Sequence, residues 1–290
     1  MEYGKRIVLA VLAMTTLGQA HPVWSAASAR DRAPPAPESA RENGGFLELG
    51  LTAQIERHAL AHKNPDDNGD GDFSLGVMVS AGYQHDRYFV EATDSWFGGL
   101  NLGVNLLQTP ELSVDLLLAN IAGHISIESD EPPAPVTEQE RNDAILDRDS
   151  LFIAAGTRIT AYRGDSLLQL RLLSDWYDDN GLQASARLGH RWQVGNWNFQ
   201  GIVGARYYSS TFNNYLYGVT DAEASQRFPS HTTGHAWIPE VELGASYPLS
   251  RDWVYTSRLR FKQLPASVTD SPLVTDDQEI FLTTGIHYVF

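Results

Sequence analysis

The sequence contains no cysteine. It therefore cannot build a disulfide framework, and it cannot be a lipoprotein that is acylated on an amino-terminal cysteine. The chain is also poor in positive charge, because 21 lysines and arginines stand against 36 aspartates and glutamates, which leaves a formal net charge of −15. Such an acidic balance disfavours nucleic acid as a partner.

The chain also lacks a long apolar run. The longest, Ile7–Leu17, has about half of the roughly 20 apolar residues that a membrane-spanning helix needs, which argues against a helical membrane protein. This run follows Lys5 and Arg6 and precedes several small residues, which is the pattern of a secretory signal peptide. The sequence therefore predicts a protein that is exported.

The first part of the chain divides into two segments. Residues 1–27 are the predicted signal peptide, with cleavage after Ala20 or Ala29. Residues 28–45 contain the proline-rich stretch APPAPES and are expected to form a flexible periplasmic leader. The predicted folded domain is then residues 46–290.

In this domain the apolar residues recur at every second position. In FLELGLTAQIERH, which starts at Phe46, leucine, alanine and isoleucine share one face of an extended strand, while glutamate, threonine and glutamine share the other. The pattern recurs in about twelve segments, an even number within the range of outer-membrane barrels. The predicted strands lie near residues 46–58, 73–83, 87–93, 100–106, 112–121, 151–162, 166–175, 182–192, 197–208, 235–247, 253–263 and 278–290.

The connections distinguish a membrane barrel from a soluble sandwich. Those after the odd-numbered strands are often long and polar, at 58–72, 128–150, 209–234 and 264–277, whereas those after the even-numbered strands are tight turns. Outer-membrane barrels combine long extracellular loops with short periplasmic turns. We therefore predict an all-β protein, a transmembrane antiparallel β-barrel of about twelve strands with both termini in the periplasm.

Charged residues recur on the polar faces of these strands, which suits a wet lumen better than a dry core. Two interpretations of them stay open. The charges either pair across neighbouring strands, or they line a narrow diffusion channel that selects small anions. The candidate lumen charges are Glu48, Arg158, Arg187, Arg191, Arg206, Glu242, Arg258 and Arg260.

The chain from Asn213 onward resembles the MipA/OmpV family of outer-membrane proteins. The matching motifs are YGV at Tyr217, DAEA at Asp221, GASYPLS at Gly244 and DSPLV at Asp270, followed by the aromatic terminus. The resemblance implies a barrel in the outer membrane of a Gram-negative bacterium. For the namesake subfamily, whose members interact with MltA, it implies a non-catalytic scaffold that joins a lytic transglycosylase to a murein synthase at the peptidoglycan.

The last strand ends in GIHYVF, with Ile286, Tyr288 and Phe290 on one face. We expect this face to contact outer-membrane lipid. Resemblance to outer-membrane proteins in general implies a second partner, the barrel-assembly machinery, which recognises a final aromatic strand. These three residues are therefore a candidate assembly signal.

Two motifs suggest other chemistry. Asp66, Asn68 and Asp70 open a loop as an EF-hand does, but Val77 stands where a bidentate glutamate is needed, so only weak calcium binding is conceivable and no cofactor is predicted. His124 and Ser126 share a strand face near its outer end, an arrangement similar to the His-x-Ser of the outer-membrane phospholipase. No asparagine sits at a matching place to orient the histidine.

We therefore predict that the protein is not an enzyme. The leading hypothesis is a scaffold in cell-envelope maintenance. A narrow diffusion channel and a surface adhesin are the alternatives, and an outer-membrane phospholipase is a weaker one.

Overall fold

The computed structural model describes residues 43–60, 72–92, 100–121, 124–127, 148–177, 180–225 and 227–290, with the backbone alone at 124–127 and 148–151. Twelve antiparallel strands close into a barrel, which confirms the prediction of fold class. The elements in chain order are β1 Gly44–Arg57, β2 Asp72–His85, β3 Tyr88–Ala92, β4 Leu100–Gln108, β5 Leu112–Ile121, β6 His124–Ile127, β7 Arg148–Leu151, β8 Ala154–Arg163, β9 Ser166–Asp175, β10 Leu182–Val194, β11 Trp197–Tyr208, α1 Ser210–Tyr217, β12 Ala236–Pro248, β13 Trp253–Gln263, α2 Ala266–Thr269 and β14 Gln278–Val289.

The barrel is an up-and-down meander. Each of its strands pairs with its neighbours in the chain, except that β5 pairs with β8, because β6 and β7 form a separate two-stranded sheet. The barrel closes where β1 pairs with β14, from Glu48 opposite Val289 to Arg57 opposite Ile280. Both the start of β1 and the end of β14 therefore lie at the same end of the barrel.

The two ends of the barrel differ in the length of their connections. At the end that holds the start of β1 and the end of β14, which we call the turn end, the strands are joined by short periplasmic turns such as 164–165 and 195–196. Gly164 and Gly195 have φ angles of +57° and +60° there, which a glycine adopts without steric strain. At the opposite, extracellular end, which we call the loop end, the long connections include 58–71, 209–235 and 264–277.

Alternation of burial along the strands explains why this sequence forms a barrel in a membrane. On β1, Leu51 is 72% exposed and its neighbour Thr52 is 4% exposed. Large apolar side chains are exposed on every strand of the barrel, so they form a continuous apolar outer surface. A surface of this kind marks contact with lipid. Within the described part of the chain, no helix is long and apolar enough to cross a membrane.

Aromatic rings mark the two borders of this apolar surface. At the turn end, Trp197 packs against Tyr247 with ring centroids 4.9 Å apart. At the loop end, Tyr207 packs against Trp237 at 5.1 Å. Trp197 and Tyr207 are ten residues apart on β11, which corresponds to about 33 Å along a strand and about 25 Å along the axis of a barrel whose strands tilt by about 40°. That height matches the apolar band of an outer-membrane barrel.

Candidate functional site

The barrel interior is the candidate functional site, because the inward faces of the strands carry most of the buried charge. The structure places six of the predicted lumen charges inside the barrel as buried or largely buried side chains, and it places Arg258 inside as a half-buried one. Arg191 lies instead at the turn end, where its Nη2 atom is 2.9 Å from Asp165 in a turn. The six are Glu48, Arg158, Arg187, Arg206, Glu242 and Arg260.

One charged network joins β3, β4, β5 and β8. Arg158 donates from Nη1 to Glu91 at 2.7 Å and from Nε to Asp115 at 2.9 Å. Asn105 donates to the other oxygen of Asp115 at 2.7 Å. The guanidinium carbon of Arg158 also lies 5.1 Å from the ring centroid of Phe89. Two carboxylates on different strands therefore hold one cation, and the loss of Arg158 would leave both carboxylates without their cation.

A second network joins β11, β12, β13 and β14. Arg206 pairs with Glu240, with Nε 2.5 Å from Oε1, and Arg260 pairs with Glu242 at 3.0 Å. A third pair, between Lys262 and Glu279, measures 2.9 Å. The side chains of Glu240 and Glu242 have no exposed surface. Opposite charges stand directly across the ladder for the last two pairs, so the strand register itself creates them.

Helix α1 covers the interior at the loop end. It begins after Ser209, whose hydroxyl oxygen accepts from the backbone N–H of Phe212 and also from that of Leu182 on β10. Phe212 is 3% exposed and packs against side chains of β5, β8 and β9, while Tyr217 packs against residues of the other wall and of the 264–277 loop. We call α1 and these contacts the roof. The buried cluster around Phe212 contains Leu117, Ala119, Phe152, Ala154 and Leu173, and the cluster around Tyr217 contains Ala59, Ala236, Ile238, Leu264 and Val268.

Hydrogen bonds fasten the roof to the extracellular loops. Asn214 donates to the carbonyl of Thr233 at 2.8 Å and accepts from its backbone N–H at 2.7 Å. Asn213 donates to the carbonyl of Gly234 at 2.8 Å, and the hydroxyl of Ser271 donates to the carbonyl of Tyr217 at 2.5 Å. Burial raises the pKa of the Tyr217 phenol well above its ordinary value of about 10, so this ring is neutral.

The residues of the candidate assembly signal face outward, Ile286 and Tyr288 on β14 and Phe290 directly after it. Ile286 and Phe290 are 45% and 54% exposed, respectively. Tyr288 packs edge-on against Trp253 at 5.2 Å and against Phe290 at 4.7 Å. On the opposite face, His287 is 1% exposed and lies over Gly50, where an added Cβ would be 2.1 Å from its Nδ1 atom.

The two motifs that suggested other chemistry fall outside the described side chains. The calcium candidates Asp66, Asn68 and Asp70 lie outside the described residues. Among the residues that the structure does describe, no group of three or more histidines or acidic residues could hold a metal ion. The backbone of His124 and Ser126 belongs to β6, which pairs with β7 beside the barrel sheet and is not a barrel strand.

The sequence interpretation missed several interior residues that the structure brings together. Glu91, Asp115, Arg171, Glu240 and Glu279 all face inward, and all but Arg171 hold a cation in the two networks. The period of two could have found Asp115 and Arg171, since a polar residue on the same strand face stands two positions before each of them, Ser113 and Gln169, respectively. No periodic pattern in the sequence predicts the roof, because α1 lies in the long, polar connection at 209–234.

Comparison with known proteins gives a consistent set of relatives. The family model described as MltA-interacting protein MipA matches residues 49–290. The MltA-interacting protein of Escherichia coli K12 is 27% identical over 238 residues, which cover 77% of this chain and 92% of that protein. The putative outer membrane protein YiaT of the same organism is 28% identical over 114 residues, which cover 39% of this chain and only 46% of YiaT.

Weaker similarity extends to a further outer membrane protein and to a solved structure. Outer membrane protein OmpV of Vibrio cholerae is 22% identical over 146 residues, which cover 50% of this chain and 57% of that protein. Among solved structures, the CymD monoaromatic hydrocarbon channel is similar with a TM-score of 0.42 and 12% identity, over 94% of each chain.

Proposed function

This chain belongs to the MipA family of outer-membrane barrels, and on that premise we propose that it is a non-catalytic scaffold of the cell envelope. It would hold a lytic transglycosylase of the MltA kind, together with a murein synthase, at the periplasmic face of the outer membrane. The name of the E. coli relative, MltA-interacting protein, supports the first partner. The murein synthase rests on the family resemblance alone.

The observation that favours a scaffold over a conduit is the pairing of charges inside a roofed barrel. An eight-stranded barrel is filled by its own side chains, whereas barrels of sixteen strands leave an aqueous channel. Twelve strands lie between these sizes. Here large ion-paired side chains such as Arg206 and Glu240 occupy the interior, and α1 covers its extracellular end. A barrel built in this way supports a role that depends on its surface.

A retention experiment with matched variants tests the proposal. The purified barrel, immobilised in detergent, should retain a purified MltA-type transglycosylase. Arg251 is exposed in the 249–252 turn at the turn end, and Arg227 is exposed at the loop end. Because the partner is periplasmic, Arg251→Glu should weaken retention more than Arg227→Glu does. If the unaltered barrel retains neither the transglycosylase nor a murein synthase, the scaffold proposal is wrong.

A narrow diffusion channel is the second candidate, and the inward arginines of β8 to β11 are the observation that favours it. Planar-bilayer recordings separate the two functions. A scaffold with a covered interior should give no unitary conductance. Steady conductance steps that favour anions, with an anion selectivity that Arg187→Gln reduces, would support the channel and not the scaffold.

The last strand is proposed as an assembly signal for the barrel-assembly machinery. Removal of Phe290 should lose little packing energy, because its side chain is more than half exposed. Its backbone N–H donates to the carbonyl of Leu47 at 2.9 Å. A deletion of Phe290 should nevertheless lower the amount of protein in the outer membrane, while Phe290→Tyr should leave it unchanged. Normal amounts of the deletion variant would contradict this role.

A further inference from the structure

One strand of the barrel is much shorter than its neighbours. Strand β3 has five residues, whereas β2 has fourteen and β4 has nine. It pairs with β2 only from Ala81 to His85. The loop-end part of β2, from Asp72 to Ser80, pairs with β1 along one side, and no described residue pairs with its other side. The wall of the barrel therefore has a step beside β2.

The connection between β3 and β4 is too short to cover this whole side of β2. Ala92 and Leu100 stand opposite each other in the ladder, so residues 93–99 have to leave and return at the same level. A connection of that length can extend the hairpin by about three positions on each side, which reaches the level of Met78. We call the remaining residues, Asp72–Val77, the open edge of β2. They span about 20 Å along the strand.

The outward side chains of the open edge are exposed as expected for a strand with a neighbour on one side only. Phe73, Leu75 and Val77 are 65%, 77% and 72% exposed, respectively. Strand β9 is paired along both sides, and its outward leucines are only 43–49% exposed. Exposure on the open edge therefore exceeds what contact with lipid alone requires.

The inward side of the open edge is also uncovered. The only described atom within 4 Å of a Cβ added at Gly76 would be Oγ1 of Thr52, at 3.5 Å. At the inward glycines of other strands, such as Gly50, Gly103 and Gly204, an added Cβ would collide with the adjoining strand or its side chains. The barrel therefore has space for a ligand group beside Gly76.

The open edge lies at the level of the outer leaflet. Tyr83 is exposed near the turn end of β2, and Phe73 is ten residues away toward the loop end. The border residues Trp197 and Tyr207 on β11 have the same separation. Leu75 therefore lies just inside the extracellular border of the apolar surface. Unpaired backbone groups at that depth are unfavourable, because lipid tails offer them no hydrogen bond.

We propose that the open edge binds an amphiphile of the outer leaflet that carries an acyl chain and an amide. The N–H and C=O of the amide supply the donor and the acceptor that the backbone of the edge needs, and the chain packs against Leu75 and Val77. A neutral amphiphile fits better than an anionic one, because Glu56 and Asp72 stand opposite each other at the loop end of β1 and β2.

A second copy of this chain does not fit the open edge. In the same membrane its β2 would run toward the same side of the bilayer. Because barrel strands tilt by about 40°, the two β2 strands would cross at a large angle and could not form a ladder.

Quenching of single fluorescent labels by lipid nitroxides tests the position of the ligand. The chain has no cysteine, so each introduced cysteine carries a unique label. In the purified full-length barrel in bilayers, a label at Gly76→Cys should be quenched by a nitroxide on an acyl chain about as strongly as a label at Val203→Cys, which faces lipid. Thr283→Cys is the matched control, because Thr283 also faces inward and is half-buried but is paired with β1 and β13. Its label should be quenched only weakly.

Two nitroxide lipids of equal chain length test the chemistry of the ligand. One is a fatty amide, and the other is the matching methyl ester, which has no donor. The amide should reach half-maximal quenching of the Gly76→Cys label at a roughly threefold to tenfold lower fraction of the lipid than the ester, because of its additional hydrogen bond. At Val203→Cys the two lipids should quench equally.

Either of two results would overturn the proposal. Quenching at Gly76→Cys as weak as that at Thr283→Cys would mean that no lipid reaches the open edge. Equal half-maximal fractions of amide and ester would mean that the backbone of the edge does not recognise the ligand. A strand from another protein cannot produce the expected signal, because the purified barrel contains no partner. The result does not depend on whether the barrel retains a transglycosylase.

Discussion

Replacement of Phe212 by alanine should release α1 from the extracellular mouth of the barrel. The ring of Phe212 is 3% exposed and packs against Phe152 with ring centroids 5.2 Å apart and against Tyr208 at 4.8 Å. Together with the partly buried Leu216, it packs α1 against residues of β5, β8 and β9. The other contacts of the helix are mainly hydrogen bonds to the extracellular loops and the packing of Tyr217 against residues of β12 and the 264–277 loop.

The size of the effect follows from the contacts that are lost. A buried phenylalanine truncated to alanine costs about 3–5 kcal/mol, as the sum of lost transfer free energy and cavity formation. Since each 1.4 kcal/mol changes a population tenfold, the open state of the roof should become roughly 10² to 10³ times more populated. The strands should stay paired, because their hydrogen bonds do not involve this ring.

Hydrogen exchange in detergent measures that population. The N–H of Asn213 donates to the carbonyl of Ser209 at 2.9 Å, and the N–H of Gly218 donates to that of Asn214 at 2.8 Å, so both amides report on the opening of α1. Their protection should fall by the same two to three orders of magnitude, while amides in the barrel ladders keep theirs. Thr211→Ala alters an exposed neighbour on the same helix and is the control. Equal protection in both variants would refute the reasoning.

Three further predictions concern the interior and the seam between β1 and β14. Arg158→Met should destabilise the barrel by about 3–5 kcal/mol, because two buried carboxylates lose their cation, and an unchanged temperature of the heat-induced shift in gel mobility would contradict this. Gly50→Ala should weaken the closing seam because its Cβ would lie 2.1 Å from the ring of His287, and His287→Ala should restore part of the loss; no restoration would mean that the ring is not the obstacle. Burial tends to raise the pKa of Asp276, but a backbone N–H and the Arg57 guanidinium lower it by more, so the net pKa is below its ordinary value. The ionised carboxylate therefore stabilises the fold by about 0.5 kcal/mol at a pH above its ordinary pKa. This stability is lost as the pH falls through the lowered pKa. The difference in unfolding temperature between the unaltered protein and Asp276→Asn should therefore shrink with acidification, and a difference that grows would contradict the sign.

The strands were predictable because a membrane barrel imposes one rule on every strand. Lipid outside and polar groups inside force an alternation of period two, which the sequence displays from Phe46 to Phe290. The lengths of the connections then identify the two ends of the barrel. The signal peptide at residues 1–27 and its cleavage site stay predictions, and sequencing of the mature amino terminus would test them.

The contacts of the interior were not predictable in the same way. The period of two tells which side of a strand a residue faces, but a pair such as Arg158 with Glu91 depends on the register of several strands and joins residues 67 positions apart. The roof depends on a longer chain of conditions. Its helix needs the cap at Ser209 and a place for Phe212 among residues of three strands, and none of these conditions leaves a periodic pattern in the sequence.

The inward charges have a structural consequence that needs no channel. A shift of one residue in the pairing of a strand would turn its inward side chains toward lipid. An arginine on the lipid face costs about 2–4 kcal/mol near the middle of the bilayer and about 0–1 kcal/mol near its interfaces. A one-residue slip of β8 to β11 would expose Arg158, Arg171, Arg187 and Arg206 together, and the penalty would be largest for the arginines farthest from the aromatic borders. An apolar interior would impose no such penalty, because both faces of each strand would then suit lipid equally. The arginines therefore fix the register of the barrel, and the carboxylates from flanking strands reduce the desolvation that the correct register entails.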